Sequence, residues 1–214
     1  MRLILEQIRT GGDRNFAYLV GDREAGVAAV FDPSFDPAAV VERAAAQGLT
    51  VTYVVNTHGH GDHTNGNDEA RRLTGAPLVA FGSNADHRLD DGGVLEVGAL
   101  RLRALYTPGH ADDHLVLFEP DERFALTGDL LFVGKVGGTS GREAARTEWD
   151  SLHRLLDAAG DDVMVWPGHD YGCRPASTIG MERRTNPFLG CEDFEAFFDL
   201  KERWPSFKVQ HGLV

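Results

Sequence analysis

Apolar and polar positions alternate along RLILEQI near the N-terminus, and the same strand rhythm is expected of NFAYLVG. Arg9–Asn15 (RTGGDRN) lies between these runs and predicts a turn joining an antiparallel pair. VAAVFDP is a third apolar run, ended by proline. DPAAVVERAAAQG changes to a helical rhythm, with Asp36 as N-cap, Pro37 in the first turn and Gly48 as C-terminal stop. VTYVVN predicts a buried strand, NDEARRLTGAP a helix stopped at Gly75, and LVAFG a short strand.

Further along, VLEVGALRLRALYT splits at Gly98 into a hairpin, and HLVLFEPDERFALTG repeats the design with a turn at EPDE. EWDSLHRLLDAAG predicts a helix with Leu152, Leu155 and Leu156 on one face, and VMVWPGHDYG a last strand running into a loop. The tail from about Pro175 reads as helical and irregular. Phe188, Phe194, Phe197, Phe198, Trp204 and Phe207 give it an aromatic face that docks on the rest of the chain. Strand blocks followed by helices occur twice, which fits two sheets packed face to face with helices outside. The expected organisation is an α/β catalytic domain over 1–175 and a C-terminal helical extension over 176–214, packed on the same domain.

Composition is that of an ordinary globular chain of 214 residues, and the formal charge of −12 disfavours nucleic acid as a partner. Cys173 and Cys191 form no CxxC pair and are expected as reduced thiols. No apolar segment is long enough for a signal peptide or a membrane span, so the expected location is the cytoplasm. The aromatic tail also leaves a homodimer open, with Phe194, Phe197 and Phe198 facing a partner copy.

The histidines change the picture. Three fall in THGHGDH directly after VTYVVN: His58, His60 and His63, with Asp62 among them. His110 (TPGH), Asp129 (LTGD) and His169 (PGHD) each follow another apolar run, beside Gly or Pro. Three imidazoles and a carboxylate this close would desolvate and repel one another without a ligand. Imidazole with carboxylate and no thiolate suits Zn, Fe, Mn or Ni. In an extended loop His58 and His60 point to the same side, and Asp62 and His63 cannot join them on one ion. Two ions fit the count: His58, His60 and His110 on the first, Asp62, His63 and His169 on the second, Asp129 between them. A hydroxide bridging ions roughly 3.5–4 Å apart would be the nucleophile, with positions left open for substrate. His87, His114, His153 and His211 sit in ordinary contexts and are expected as satisfied polar residues.

THGHGDH, TPGH, LTGD and PGHDY, in that order, resemble the metallo-β-lactamase superfamily over residues 1 to 175. The resemblance implies an αββα sandwich with a dinuclear site at one edge of the sheets, holding two divalent ions, zinc foremost, with iron or manganese as other choices. Asp32, in VFDPS, matches an acidic position that the family places near the metals without making it a ligand. Within the superfamily, LTGDLLFVG, PGHDYG and RRTNPFL are similar to the glyoxalase II group, which hydrolyses thioesters of the S-lactoylglutathione kind. This implies metal-dependent hydrolysis of a small thioester, with Asp62 and Asp129 as the catalytic carboxylates. Tyr171 matches the group's glutathione-binding tyrosine, and Lys135, in the short GKVGGTSG segment, is the other substrate-contact candidate. Persulfide dioxygenases share these motifs and hold one iron at the positions matching His58, His110 and Asp129, which gives the alternative activity.

Overall fold

The computed structural model describes residues 3–82, 85–119, 121 and 124–211, and of His211 the backbone alone. The side chain of His211 and positions 120 and 122 of the EPDE turn therefore lie outside the described residues. The first sheet begins with Leu3–Gly11 (β1) and Asn15–Asp22 (β2), antiparallel about the expected turn. β2 pairs antiparallel with Val27–Phe31 (β3). From there the pairing becomes parallel. Pro37–Ala46 (α1) crosses to Thr50–Val55 (β4), and Gly61–Thr64 (α2) and Asn67–Thr74 (α3) cross to Leu78–Ala80 (β5). His87–Arg88 (β6) closes a six-stranded sheet in sequence order.

The second sheet starts with Val94–Val97 (β7), Leu100–Tyr106 (β8), Leu115–Glu119 (β9) and Phe124–Gly128 (β10), an antiparallel meander. A small hairpin of Leu131–Phe132 (β11) and Lys135–Val136 (β12) follows, then Gly141–Ala158 (α4). Met164–Pro167 (β13) returns parallel to β10, and Ser177–Thr178 (β14) adds an antiparallel edge. The tail ends with Ile179–Thr185 (α5) and Phe194–His211 (α6).

Three apolar clusters separate the layers. Between the sheets lie Phe16, Tyr18, Val20, Phe31, Leu102, Leu117 and Leu126. Outside the first sheet, Ala17, Leu19, Val30 and Val54 meet Val40 and Ala44 of α1 and Ala70 of α3. Outside the second, Val116, Phe118 and Val165 meet Leu152 and Leu155 of α4 and Ile179, Phe188, Phe194 and Phe197 of the tail. The order is helix, sheet, sheet, helix, as expected. Each fully buried Phe or Leu contributes about 1.5–3 kcal/mol of hydrophobic stabilisation, so the three clusters together fix the layers.

Several local expectations are corrected. β2 has no polar face: all eight residues are buried, because Phe16, Tyr18 and Val20 face the other sheet while Ala17 and Leu19 face α1 and its layer. α4 starts at Gly141, seven residues before EWDSL. Arg142–Arg146 (REAAR) are good helix formers with few apolar positions, so propensity extends the helix where periodicity gave no signal. The segment after Asp129 is a hairpin turning at Gly134, φ +72°, rather than a plain loop. Phe194 and Phe197 are covered by α4, so those rings are not available to a partner copy, and the aromatic face docks inward. Among the described residues no helix is long and apolar enough to cross a membrane.

Candidate metal centre

Strands β3, β4, β8, β10 and β13 all release their chains at one edge of the sandwich, and there the singled-out residues meet. β4 leads into Thr57–His60, which bends at Thr57 and His58 and is extended at His60, and α2 then turns the chain, so Asp62 and His63 leave in a new direction. This division explains how one seven-residue stretch serves two clusters. At this edge Phe16 N donates to Gly168 O at 2.8 Å, across the sheets, and Gly168 N to Gly128 O at 2.8 Å, within the second. A Cβ on Gly168 would stand 2.3 Å from Asp129 Oδ1, so only glycine lets the chain pass this close.

Two sets of donors form, and a third grouping, His58, His63 and Asp129, straddles them. His58, His60 and His110 present nitrogens within 4.8 Å of one another, and so do donor atoms of Asp62, His63 and His169. His58 Nε2 and His60 Nδ1 are 3.1 Å apart, and His63 Nε2 and His169 Nε2 3.2 Å. Asp129 stands between the sets. Its Oδ2 lies 3.5 Å from His110 Nε2 and 3.3 Å from His169 Nε2, and its Oδ1 3.4 Å from His63 Nε2. Asp62 Oδ2 is 3.4 Å from His169 Nε2 and accepts a hydrogen bond from Asn15 Nδ2 at 3.1 Å.

The outer nitrogens settle the tautomers. His110 Nδ1 donates to Gly138 O at 2.7 Å, and His169 Nδ1 to Asp13 O at 2.8 Å. His63 Nδ1 donates to Asp32 Oδ2 at 3.0 Å. Thr57 Oγ1 donates to Asp32 Oδ2 at 2.7 Å, so it accepts from His58 Nδ1 at 3.0 Å. In all four rings the Nδ1 proton sits outside and Nε2 is turned inward, as a bare electron pair in the neutral His58 and His110, while His63 and His169 hold a proton there more tightly than usual. His110 Nε2 and Asp129 Oδ1 are buried with no hydrogen-bond partner among the described residues. Convergent donor atoms, two of them orphaned and buried, fit a divalent metal site.

The two sets differ in charge. Burial lowers His58 and His110, leaving them neutral donors. Burial also acts against charge on His63, but Asp32 and Asp129 outweigh it and push it up to about 11. The carboxylate of Asp129 is held well below the usual range by His169 and His63, against its burial.

Some contributions were not singled out from the sequence. His114, expected only as a satisfied polar residue, is fully buried behind the site, where its Nε2 accepts the Asp129 N–H at 3.1 Å. Its Nδ1 donates to Thr107 Oγ1 at 2.8 Å, and burial lowers its pKa to about 3, so it stays neutral. Asn15, which holds Asp62, and Thr57 are further supports with no sequence signal beyond their neighbours. His87 and His153 lie exposed away from the site. Tyr171 stacks on the His169 ring at 4.7 Å and 5°, and its hydroxyl donates to Asp13 Oδ2 at 2.7 Å. Lys135 Nζ lies 4.2 Å from the Tyr171 ring centroid and Arg14 approaches the same ring at 4.9 Å.

The family model of the metallo-beta-lactamase superfamily matches residues 10–96 and 81–169. The chain belongs to this superfamily. Among its relatives, the mitochondrial persulfide dioxygenase ETHE1 of Homo sapiens is 32% identical over 200 residues, covering 90% of this chain and 79% of that protein. The hydroxyacylglutathione hydrolase of Rhodospirillum rubrum is 36% identical over 177 residues, covering 79% of this chain and 67% of that protein. The crystal structure of ETHE1 from Myxococcus xanthus superposes with a TM-score of 0.86 at 32% identity, covering 94% of this chain and 91% of that one. Membership of the superfamily supports a metal-dependent enzyme acting on a small molecule. Its members here carry two different activities, so the choice between them has to come from the site itself.

Proposed function

We propose that the protein is a dinuclear metal-dependent hydrolase of small thioesters, related in activity to the hydroxyacylglutathione hydrolases. The observation that carries this reading is Asp129, whose Oδ2 lies between His110 of the first donor set and His169 of the second while its Oδ1 faces His63, so that one carboxylate reaches both sets. His58, His60 and His110 would hold one ion, Asp62, His63 and His169 the other, and Asp129 would bridge. When bound, such a pair supplies an activated water at neutral pH and a Lewis acid for a carbonyl oxygen.

The chain's own residues do the rest. Asp32, Asp13, Gly138 and Thr57 fix the imidazoles in the tautomer that donates inward. Asp62 and Asp129, both anionic, would hold the ions and orient the attacking water. A thiolate leaving group needs little acid assistance, its conjugate acid having a pKa of about 8.5. No general acid stands in the inward-facing set, which suits a thioester better than an amide.

Lys135 and Tyr171 are assigned to substrate binding. Tyr171 offers its ring face, since its hydroxyl proton is given to Asp13. Lys135, half-buried on that face and beside Arg14, would attract a substrate carboxylate despite the overall negative charge. A cavity of about 280 Å³, lined by Lys135, Gly138, Phe188, Phe198 and Trp204, gives room for a small thiol carrier. Two unpaired cysteines suit the reducing cytoplasm.

The second reading is a mononuclear-iron persulfide dioxygenase, favoured by the 91% coverage of the Myxococcus xanthus structure and by the His58, His110, Asp129 subset, a two-histidine, one-carboxylate iron set. Release of free thiol from S-lactoylglutathione and other small thioesters, followed under nitrogen, tests the first reading. Turnover without oxygen is expected. A protein that is inert on every thioester yet consumes oxygen with a persulfide would overturn it.

A further inference from the structure

The C-terminal helices grip the hairpin that follows Asp129. From α5, the buried Glu182 Oε2 accepts the Gly134 N–H at 2.8 Å, and Asn186 Nδ2 donates to Lys135 O at 3.2 Å. From α6, Lys201 Nζ donates to Gly137 O at 2.7 Å. Lys201 is also ion-paired with Glu148 of α4, and the two side chains are 10% and 0% exposed.

Gly137 is the pinch point. A Cβ there would meet Asp129 O at 2.2 Å, Glu148 Oε1 at 2.8 Å and His110 Cβ at 3.1 Å. The next carbonyl, Gly138 O, is the acceptor that fixes His110 Nδ1. Buried charge is expensive, and replacing such a pair by apolar side chains is often neutral or better for stability. A lysine buried on a backbone carbonyl one residue from a ligand's anchor is therefore better explained by positioning than by folding.

We infer that Lys201, held by Glu148, is a positioning residue that sets the carbonyl of Gly138 and thereby the orientation of His110 towards the first ion. The C-terminal extension thus builds the metal centre through α6 while contributing no ligand to it. This rests on the proposed His58, His60 and His110 set.

Co(II) binding to the apoprotein tests it, measured from the visible bands in an Asp62→Ala background that leaves the first set alone to load. Lys201→Met strands the Glu148 charge, so Glu148→Gln/Lys201→Met, which leaves no buried charge unpaired, is the companion variant. Phe194→Leu is the control, since it loosens the start of α6 on α4 while its ring neighbours are Arg142 and Arg146 rather than Lys201. Both Lys201 variants are expected to weaken Co(II) binding 10–100-fold and to shift the bands. The control is expected to bind like its parent despite a similar loss of Tm. Parent-like binding by the double variant, or equal weakening by Phe194→Leu, would overturn the inference while leaving the hydrolase reading intact. No Co(II) binding by the Asp62→Ala parent itself would overturn the ligand assignment and the inference with it.

Discussion

His63 Nδ1 donates to Asp32 Oδ2 at 3.0 Å, and this one bond decides which nitrogen of His63 faces the second donor set. Asp32 itself sits at φ +47°, a backbone conformation that aspartate tolerates better than most residues. Its carboxylate also takes the Thr57 N–H at 2.8 Å, so it ties the first and second sets to one anchor. Asp32→Ala should weaken the second ion 10–100-fold. It should also cost about 1–3 kcal/mol of stability, because buried donors lose their acceptor. Isothermal titration with Zn(II) and denaturant unfolding of the apoprotein check the two effects separately.

Asp62 is the exposed member of the second set, its side chain 42% exposed. Asp62→Ala should therefore leave the fold intact and remove one ion and most turnover. Metal content per chain and kcat are the measurements. A variant retaining both ions and full activity would contradict the division into two sets.

Gly168→Ala tests the crowding at the sheet edge. The Gly168 backbone is fixed from both sides by Gly128 O and Phe16 N, so a methyl group must push Asp129 or His63 aside. Misplacing ligands by about 1 Å is expected to cost on the order of 100-fold in turnover. Circular dichroism should show an unchanged sandwich while metal content falls.

The fold and the clustering of the candidate ligands were legible in the sequence because their signals are local. HxHxDH, GH, GD and GH each follow an apolar strand, and strand ends are where side chains can converge. The supports were not legible, since they are distant in sequence. Lys201 reaches Gly137, Glu182 reaches Gly134, and His114 holds the Asp129 amide, and nothing at either end of these pairs announces the other. α4 was read seven residues short because its first turns carry propensity without periodicity. β2 was read as half polar although both its faces are covered.

The two donor sets should respond differently to pH. His58 and His110 are lowered by burial, so an ion at their set displaces no proton from either near neutrality. His63 is opposed by burial yet raised to about 11 by Asp32 and Asp129, and His169 is raised by Asp129 against its burial. A proton held more tightly than usual must leave when the second ion binds. The apparent affinity of that ion should fall about tenfold per displaced proton for each unit that pH drops between 8 and 7. Zn(II) titrations in buffers of different ionisation enthalpy count those protons. Equal pH dependence of the two ions would contradict the assignment.

The most direct test of the two-ion account is the metal content of protein purified anaerobically without added metal, measured by mass spectrometry beside oxygen uptake and thioester hydrolysis. Two divalent ions per chain, with thiol release from a small thioester and no oxygen consumption, is the predicted result. One iron per chain, with oxygen consumed in the presence of a persulfide, would contradict it.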